Sequence, residues 1–223
     1  MSTSMGQMPF LSSSGALKYY FQRKINYKYA FLLLFSSIPA AQITAYFIGH
    51  IEDTAFGQNI FYKHLTYADA FIAVFYSLLL FSLGTYGILK SKNENKLNLI
   101  KQNRLYYTIF GMGICFGVIS ALFGIGGGFL TVPFFIYYLK LKPSEAAATS
   151  LFCIFILSFL ITLYYIYINH IYFSISLIAA LGTIPGAFLG AKINLKTPPE
   201  KMKKYFGLLQ IIVALSYLLL KLK

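Results

Sequence analysis

Residues 145–168 read EAAATSLFCIFILSFLITLYYIYI, with one charge, Glu145, at the leading edge. As a helix this run is about 36 Å long, enough to cross a hydrocarbon core of about 30 Å. A helix on a soluble domain would keep a polar stripe for water, and this run has none. Working outward, residues 27–51, 67–89, 106–123, 172–191 and 205–220 are similar apolar runs. Residues 4–21 carry Gln7 and the triplet Ser12-Ser13-Ser14, so that helix is expected to face the protein interior. The whole chain follows the same pattern: 223 residues, 58% hydrophobic and only 11% charged, with mean hydropathy +0.67. A soluble fold of this length would lack the polar side chains to cover itself, whereas lipid asks for no such cover. The expected fold class is all-α, a polytopic transmembrane helix bundle of about seven spans.

One piece does not fit as a span. Residues 129–139 would be about 17 Å long as a helix, too short to cross. They are expected to form a half-helix or re-entrant segment. The basic residues then fix a direction. Lys18, Arg23, Lys24 and Lys28 flank one gap; Lys90, Lys92, Lys96, Lys101 and Arg104 fill another. Lys140 and Lys142 precede Pro143, and Lys192, Lys196, Lys201, Lys203 and Lys204 lie before the last run. All four gaps fall on one side if the spans alternate and the half-helix returns the chain to the side it left. That side is the cytoplasmic one by the positive-inside rule.

The net charge of +13 is thereby absorbed as topology, and no nucleic-acid partner is expected. Cys115 and Cys153 lie inside apolar runs with no C-x-x-C and no histidine at ligand spacing, so both read as inert buried thiols. No metal site and no cofactor are expected. The opening residues lack a basic n-region, so no signal peptide is expected either.

A shift of 146 residues aligns two stretches without a gap. Thr3-Ser4 falls on Thr149-Ser150, Leu11-Ser12 on Leu157-Ser158, and Ile38-Pro39 on Ile184-Pro185. The turn at Arg23-Lys24 is expected inside and its mate at Asn169-His170 outside. The two copies would run in opposite directions, as two inverted repeats, with residues 1–104 as the first half (linker 90–104 cytoplasmic) and 105–223 as the second. In such carriers the substrate site lies near mid-membrane where the repeats meet.

Three features carry candidate chemistry. Gly124, Gly126, Gly127 and Gly128, then Pro133, break any regular helix over 124–133. Broken backbone in lipid survives only where protein buries it or water lines it. Its freed N–H groups can hold an anion at the start of the half-helix; the competing reading is a tight bend between touching helices. It is neither G-x-G-x-x-G nor a P-loop, since Phe129 holds the last position and no Gly-Lys-Ser/Thr follows. Gly182, Gly186 and Gly190, with mates Ser36, Ala40 and Thr44, and the separate run Gly113, Gly117 and Ala121, read as small-residue stripes for helix packing. Pro39 and Pro185 are expected to kink their helices and expose carbonyls. Thr149 and Ser150, mated by Thr3 and Ser4, offer hydroxyls either to their own helix or to a substrate. Glu145 follows Ser144, read as the N-cap, and an acid there suits the helix dipole.

The run GIGGGFLTVP over 124–133, AAATS over 146–150, and Gly182-x-Ile-Pro-Gly186-x-x-x-Gly190-Ala191 together resemble the second half of the sulfite exporter TauE/SafE family. The resemblance covers roughly 111–220, and more weakly 3–51. It implies a multi-pass carrier in the cell membrane moving a small anion such as sulfite or an organosulfonate. Its partners would be the lipid bilayer and that solute. Members carry a glycine-rich segment in each half; here the first copy would lie ahead of Thr3, so an N-terminally incomplete first half is expected. The alternative is a truncated, non-transporting membrane protein. An enzyme is not expected, because no paired carboxylates or histidines lie at mid-helix.

Overall fold

The computed structural model describes residues 2–53, 77–78, 80–82, 84–85, 102–123, 128–167 and 173–221. They form helices joined by short turns, with no strand among the described residues. The helices are α1 (Ser2–Phe21), α2 (Tyr27–Asp53), α3 (Gln102–Phe123), α4 (Gly128–Tyr137), α5 (Pro143–Tyr167), α6 (Phe173–Lys196) and α7 (Pro199–Lys221). The described positions within 77–85 are helical too. Among the described residues, Tyr27–Phe47, Pro143–Tyr164 and Ser176–Lys196 are long and apolar enough to cross a membrane. Leu105–Ala121 and Gly128–Tyr137 are shorter apolar helices. The expected half-helix is therefore present as the ten-residue α4. Most of the expected run 67–89 lies outside the described residues.

Helix ends reach past the apolar runs because caps, not hydropathy, set them. α7 begins at Pro199, so Lys201, Lys203 and Lys204 belong to its first turns rather than to a loop. Proline suits the first helical position, where no N–H is needed, and Glu200 sits in the positive first turn. α5 starts at Pro143, two residues earlier than a Ser144 cap allows. Lys142 is the cap, and the Glu145 carboxylate accepts the Lys142 N–H at 3.4 Å. Asn26 caps α2, its side-chain oxygen accepting the Tyr29 N–H at 3.4 Å.

Two helices end on a non-glycine residue in the left-handed region, Arg23 (φ 51°) after α1 and Lys140 (φ 57°) after α4. The first turn closes with Lys24 N–H on the Tyr19 carbonyl at 3.2 Å, the second with Leu141 N–H on the Phe135 carbonyl at 3.0 Å. Left-handed backbone costs an ordinary residue about 1 kcal/mol. Lys140→Gly should therefore raise stability by about 1 kcal/mol in detergent. A thermal melt that is unchanged or lower would show that the exposed lysine side chain contributes more than the backbone loses.

Contacts divide the chain into two compact units, residues 1–46 with 98–197, and residues 47–97 with 198–223. In the first unit α1 packs on both α5 and α6, and α5 also carries α4. α2 lies against α5: the Cys153 thiol reaches the Ala30 carbonyl at 3.8 Å, and Phe152 meets the rings of Tyr27 and Phe31 edge-on. α3 crosses α2 through its glycines. A Cβ at Gly113 would run into Ser36 Oγ and lie 2.6 Å from the Leu33 carbonyl oxygen. One at Gly117 would run into the Ser37 carbonyl. Leu33, Ile109, Phe116, Phe135, Leu157 and Ile161 fill the core between these helices. In the second unit Gly84 approaches α7 so closely that a Cβ there would sit 2.8 Å from the Gly207 carbonyl oxygen.

The outer faces are apolar. Phe35, Ile178, Leu181 and Leu189 are all more than half exposed. In water such a surface would be an aggregation hazard; in hydrocarbon it is the matching cover. Cys115 departs from expectation: it is exposed on the outer side of α3, and only Cys153 is buried. A thiol in an apolar run can face lipid as well as core.

Candidate functional site

The site is built where α4 begins. Gly124, Gly126 and Gly127 lie outside the described residues, and Gly128 opens the helix. A Cβ on Gly128 would come within 2.9 Å of Ile154 Cδ1 and 3.7 Å of Ser150 Oγ, so glycine lets the start of α4 lie close on α5. One turn on, Thr131 is fully buried, and its hydroxyl is 2.6 Å from that of Ser150. Either oxygen can donate. Thr131 Oγ1 also lies 3.5 Å from the Gly128 carbonyl. Pro133 is buried in the same helix. Gly128, Thr131 and Ser150 are thus brought together, while Pro133, two positions beyond Thr131, is buried on another side of α4.

Thr149 is fully buried but faces elsewhere. Its hydroxyl donates to the Glu145 carbonyl at 2.7 Å and accepts the Asn26 N–H at 3.0 Å. Adjacent helical positions point about 100° apart. Ser150 therefore meets α4 while Thr149 fastens the turn between α1 and α2 onto α5. Pro39 and Pro185 lie on exposed positions of α2 and α6, whereas the hydroxyl pair is buried. Thr3 and Ser4 fall in the first turn of α1, and their side chains lie outside the described part of the structure.

Two residues escaped sequence reasoning. Thr131 stands inside the quoted glycine motif, three residues after Gly128, and that position in the first turn was the available signal. Ser120 on α3 is 1% exposed, and its hydroxyl has no hydrogen-bond partner among the described residues. A buried hydroxyl without a partner is unusual, because desolvation is costly. Its signal was weak: a serine on the Gly113–Gly117 face, four positions before the glycine run. By contrast Ser36 and Ser37 donate to their own helix, to the Leu33 and Leu34 carbonyls.

The charge pattern bounds the chemistry. Residues 105–138 and 146–168 contain no Asp, Glu, Lys, Arg or His. These stretches can offer hydroxyl dipoles and the backbone N–H groups of a helix start, but no fixed ion.

A probable membrane transporter protein of Bacillus subtilis, YunE, is 27% identical over 203 residues, covering 86% of this chain and 68% of that protein. Probable membrane transporter proteins from two strains of Xylella fastidiosa are 31% identical over 106 residues. That match covers 47% of this chain and 41% of each relative, so the matched stretch spans well under half of their length. No solved structure matches. The sequence profile of the sulfite exporter TauE/SafE family matches residues 1–217, which is nearly the whole chain and includes every helix that builds the site, and the protein belongs to that family of membrane transporters.

Proposed function

We propose that the chain is a multi-pass secondary carrier of the cell membrane that moves a small anion, sulfite or an organosulfonate, by alternating access between two inverted repeats. The Thr131–Ser150 hydroxyl pair at the start of α4 carries this reading. It sits in the first turn of a half-helix, where dipole and free N–H groups favour negative charge. With no cation in the apolar runs, binding rests on dipoles alone, which suits a small, weakly held anion that must leave again. The halves proposed are 1–104 and 105–223. What supports them is that α1 lies on α5 and α6, and α5 meets α1 and α2. Those are the contacts produced by exchanging α1 with α5 and α2 with α6.

Within this reading Gly124, Gly126, Gly127 and Gly128 supply backbone donors and Ser150 with Thr131 supplies hydroxyls. Thr149 positions the α1–α2 turn. Thr3, Ser4, Pro39 and Pro185 are the symmetry-related or kink positions of the same proposal. Proteoliposomes loaded with labelled sulfite, then with a labelled sulfonate, test it. Ser150→Ala and Thr131→Val should each slow efflux about fivefold, the equivalent of one hydrogen bond of about 1 kcal/mol. Wild-type efflux no faster than from empty vesicles would refute transport of these anions. Equal rates for wild type and both variants would remove the hydroxyl pair from the site.

A further inference from the structure

α7 turns its large apolar side chains outward. Tyr205, Leu208, Leu209, Ile212, Val213 and Leu215 are all exposed. The opposite strip, Lys203, Gly207, Gln210 and Ala214, is buried. These four recur three and four apart, so they share one helix face. That face holds polar and small residues where a helix in water would hold leucine. The helical positions within 77–85 lie against it. A Cβ on Gly84 would sit 2.8 Å from the Gly207 carbonyl oxygen and 3.4 Å from Gln210 Cβ. Ser77 stands about two turns from Gly84 on the same face. It is 6% exposed, and its hydroxyl has no hydrogen-bond partner among the described residues. Thr85 beside Gly84 and Ser216 of α7 instead donate to carbonyls of their own helices.

We propose that this strip is a second anion site, with Lys203 as its cation and a small oxyanion of the sulfite or sulfate kind as its ligand. Lys201, Lys203 and Lys204 all stand in the first turns of α7. Lys201 and Lys204 are exposed, and only Lys203 is buried, at 6% exposure. Burying an ammonium is costly, and the positive start of a helix adds to the cost. Both terms change sign for a bound anion, which gains from the ammonium and from the helix start together. Glu200, the acid of that first turn, is exposed. Lys203 and Gln210 already have partners in the structure. One partner exhausts neither, since an ammonium has three donors and a side-chain amide two. Glue between helices accounts for Gln210, but it calls for neither a cation nor a hydroxyl left without a bond. The site lies within the second unit and carries the fixed ion that the Thr131–Ser150 pair lacks. It does not rest on transport; only the choice of sulfite as a probe comes from the carrier reading.

Equilibrium binding of labelled sulfite, and separately of labelled sulfate, to the full chain in detergent tests the site without any flux. Lys203→Met should weaken binding of at least one of them about tenfold, as expected for one charge-assisted hydrogen bond, and Lys203→Arg should bind within about twofold of wild type. Lys201→Met and Lys204→Met, on the exposed side of the same turns, should bind as wild type. Ser150→Ala should keep the Lys203-dependent component. Where Lys203→Met does not fold, Ser77→Ala decides. Its hydroxyl has no bond to lose, so this variant should melt no lower than wild type while binding about threefold more weakly. Equal affinity of wild type and Lys203→Met, or equal losses from all three lysine variants, would overturn the site. Stabilisation by dioleoylphosphatidylglycerol that Lys203→Met abolishes, with neither sulfite nor sulfate bound, would assign the lysine to a lipid phosphate and overturn it as well. Lys203-dependent binding without efflux from proteoliposomes would support the site and remove only the carrier reading.

Discussion

Gly117→Leu is expected to abolish the native bundle. At this position the backbone of α3 lies directly on that of α2, and a Cβ would sit 3.0 Å from Ser37 Cα and closer still to its carbonyl oxygen. The obstruction is main chain, which cannot swing aside as a side-chain tip can. The helices would have to separate, exposing Leu33, Phe116 and the fully buried Ser37. Helices in lipid are not held together by the hydrophobic effect, so separation forfeits dispersion and close packing with nothing in return. Overpacking of this kind costs about 3 kcal/mol or more. Gel filtration in mild detergent should show aggregate in place of a monodisperse peak. Gly117→Ala is the graded control, losing less, and Gly182→Leu should behave as wild type because its surroundings among the described residues are open. A monodisperse, heat-stable Gly117→Leu protein would show that α2 and α3 do not cross here.

Tyr19→Phe should destabilise by about 2 kcal/mol, although it removes a single oxygen. The Asn194 side-chain amide donates to the Tyr19 hydroxyl at 2.8 Å, joining the end of α1 to the end of α6. The Asn194 side chain is buried, and its Oδ1 has no partner among the described residues. Whichever way the amide is turned, one polar atom faces Tyr19 and the other is left over. Phenylalanine would leave both unsatisfied in an apolar setting formed by Ala148, Ala191, Leu151 and Leu195. Asn194→Leu in the Tyr19→Phe background should recover most of the loss, since an apolar pair of similar size needs no partner. A double-mutant cycle on thermal unfolding reads this coupling directly. Additive losses would mean that the two side chains do not share a bond.

The sequence was most informative where one physical term dominates. Long apolar runs and the four-glycine break announced α2, α5, α6 and the short α4, because neither water nor regular helix tolerates them. Boundaries were less legible: α7 starts at Pro199 rather than near residue 205, since capping by proline and Glu200 outweighs three lysines in the first turns. Two glycine stripes read alike, yet Gly113 and Gly117 are pressed against α2 while Gly182, Gly186 and Gly190 are open among the described residues. Residue size says that a helix can approach, not which one does. Thr149 and Ser150 were likewise a single reading, and a rotation of about 100° sends one to the Asn26 amide and the other to Thr131. Cys115 misled for the same reason, its run being apolar on the lipid side as well as the core side.

Arg23 and Lys140 close helices in a backbone conformation that glycine would adopt freely, and both keep a cation instead. On the proposed topology both lie on the inner side, where positive charge directs how nascent spans are laid into the bilayer. Folded-state strain and insertion fidelity are then traded against each other at the same two residues. A heat-tolerance screen in detergent would reward glycine at both positions, and the same variants would be expected to enter the membrane with a larger misoriented fraction. Selection during biosynthesis leaves a trace that equilibrium unfolding reads only as a defect.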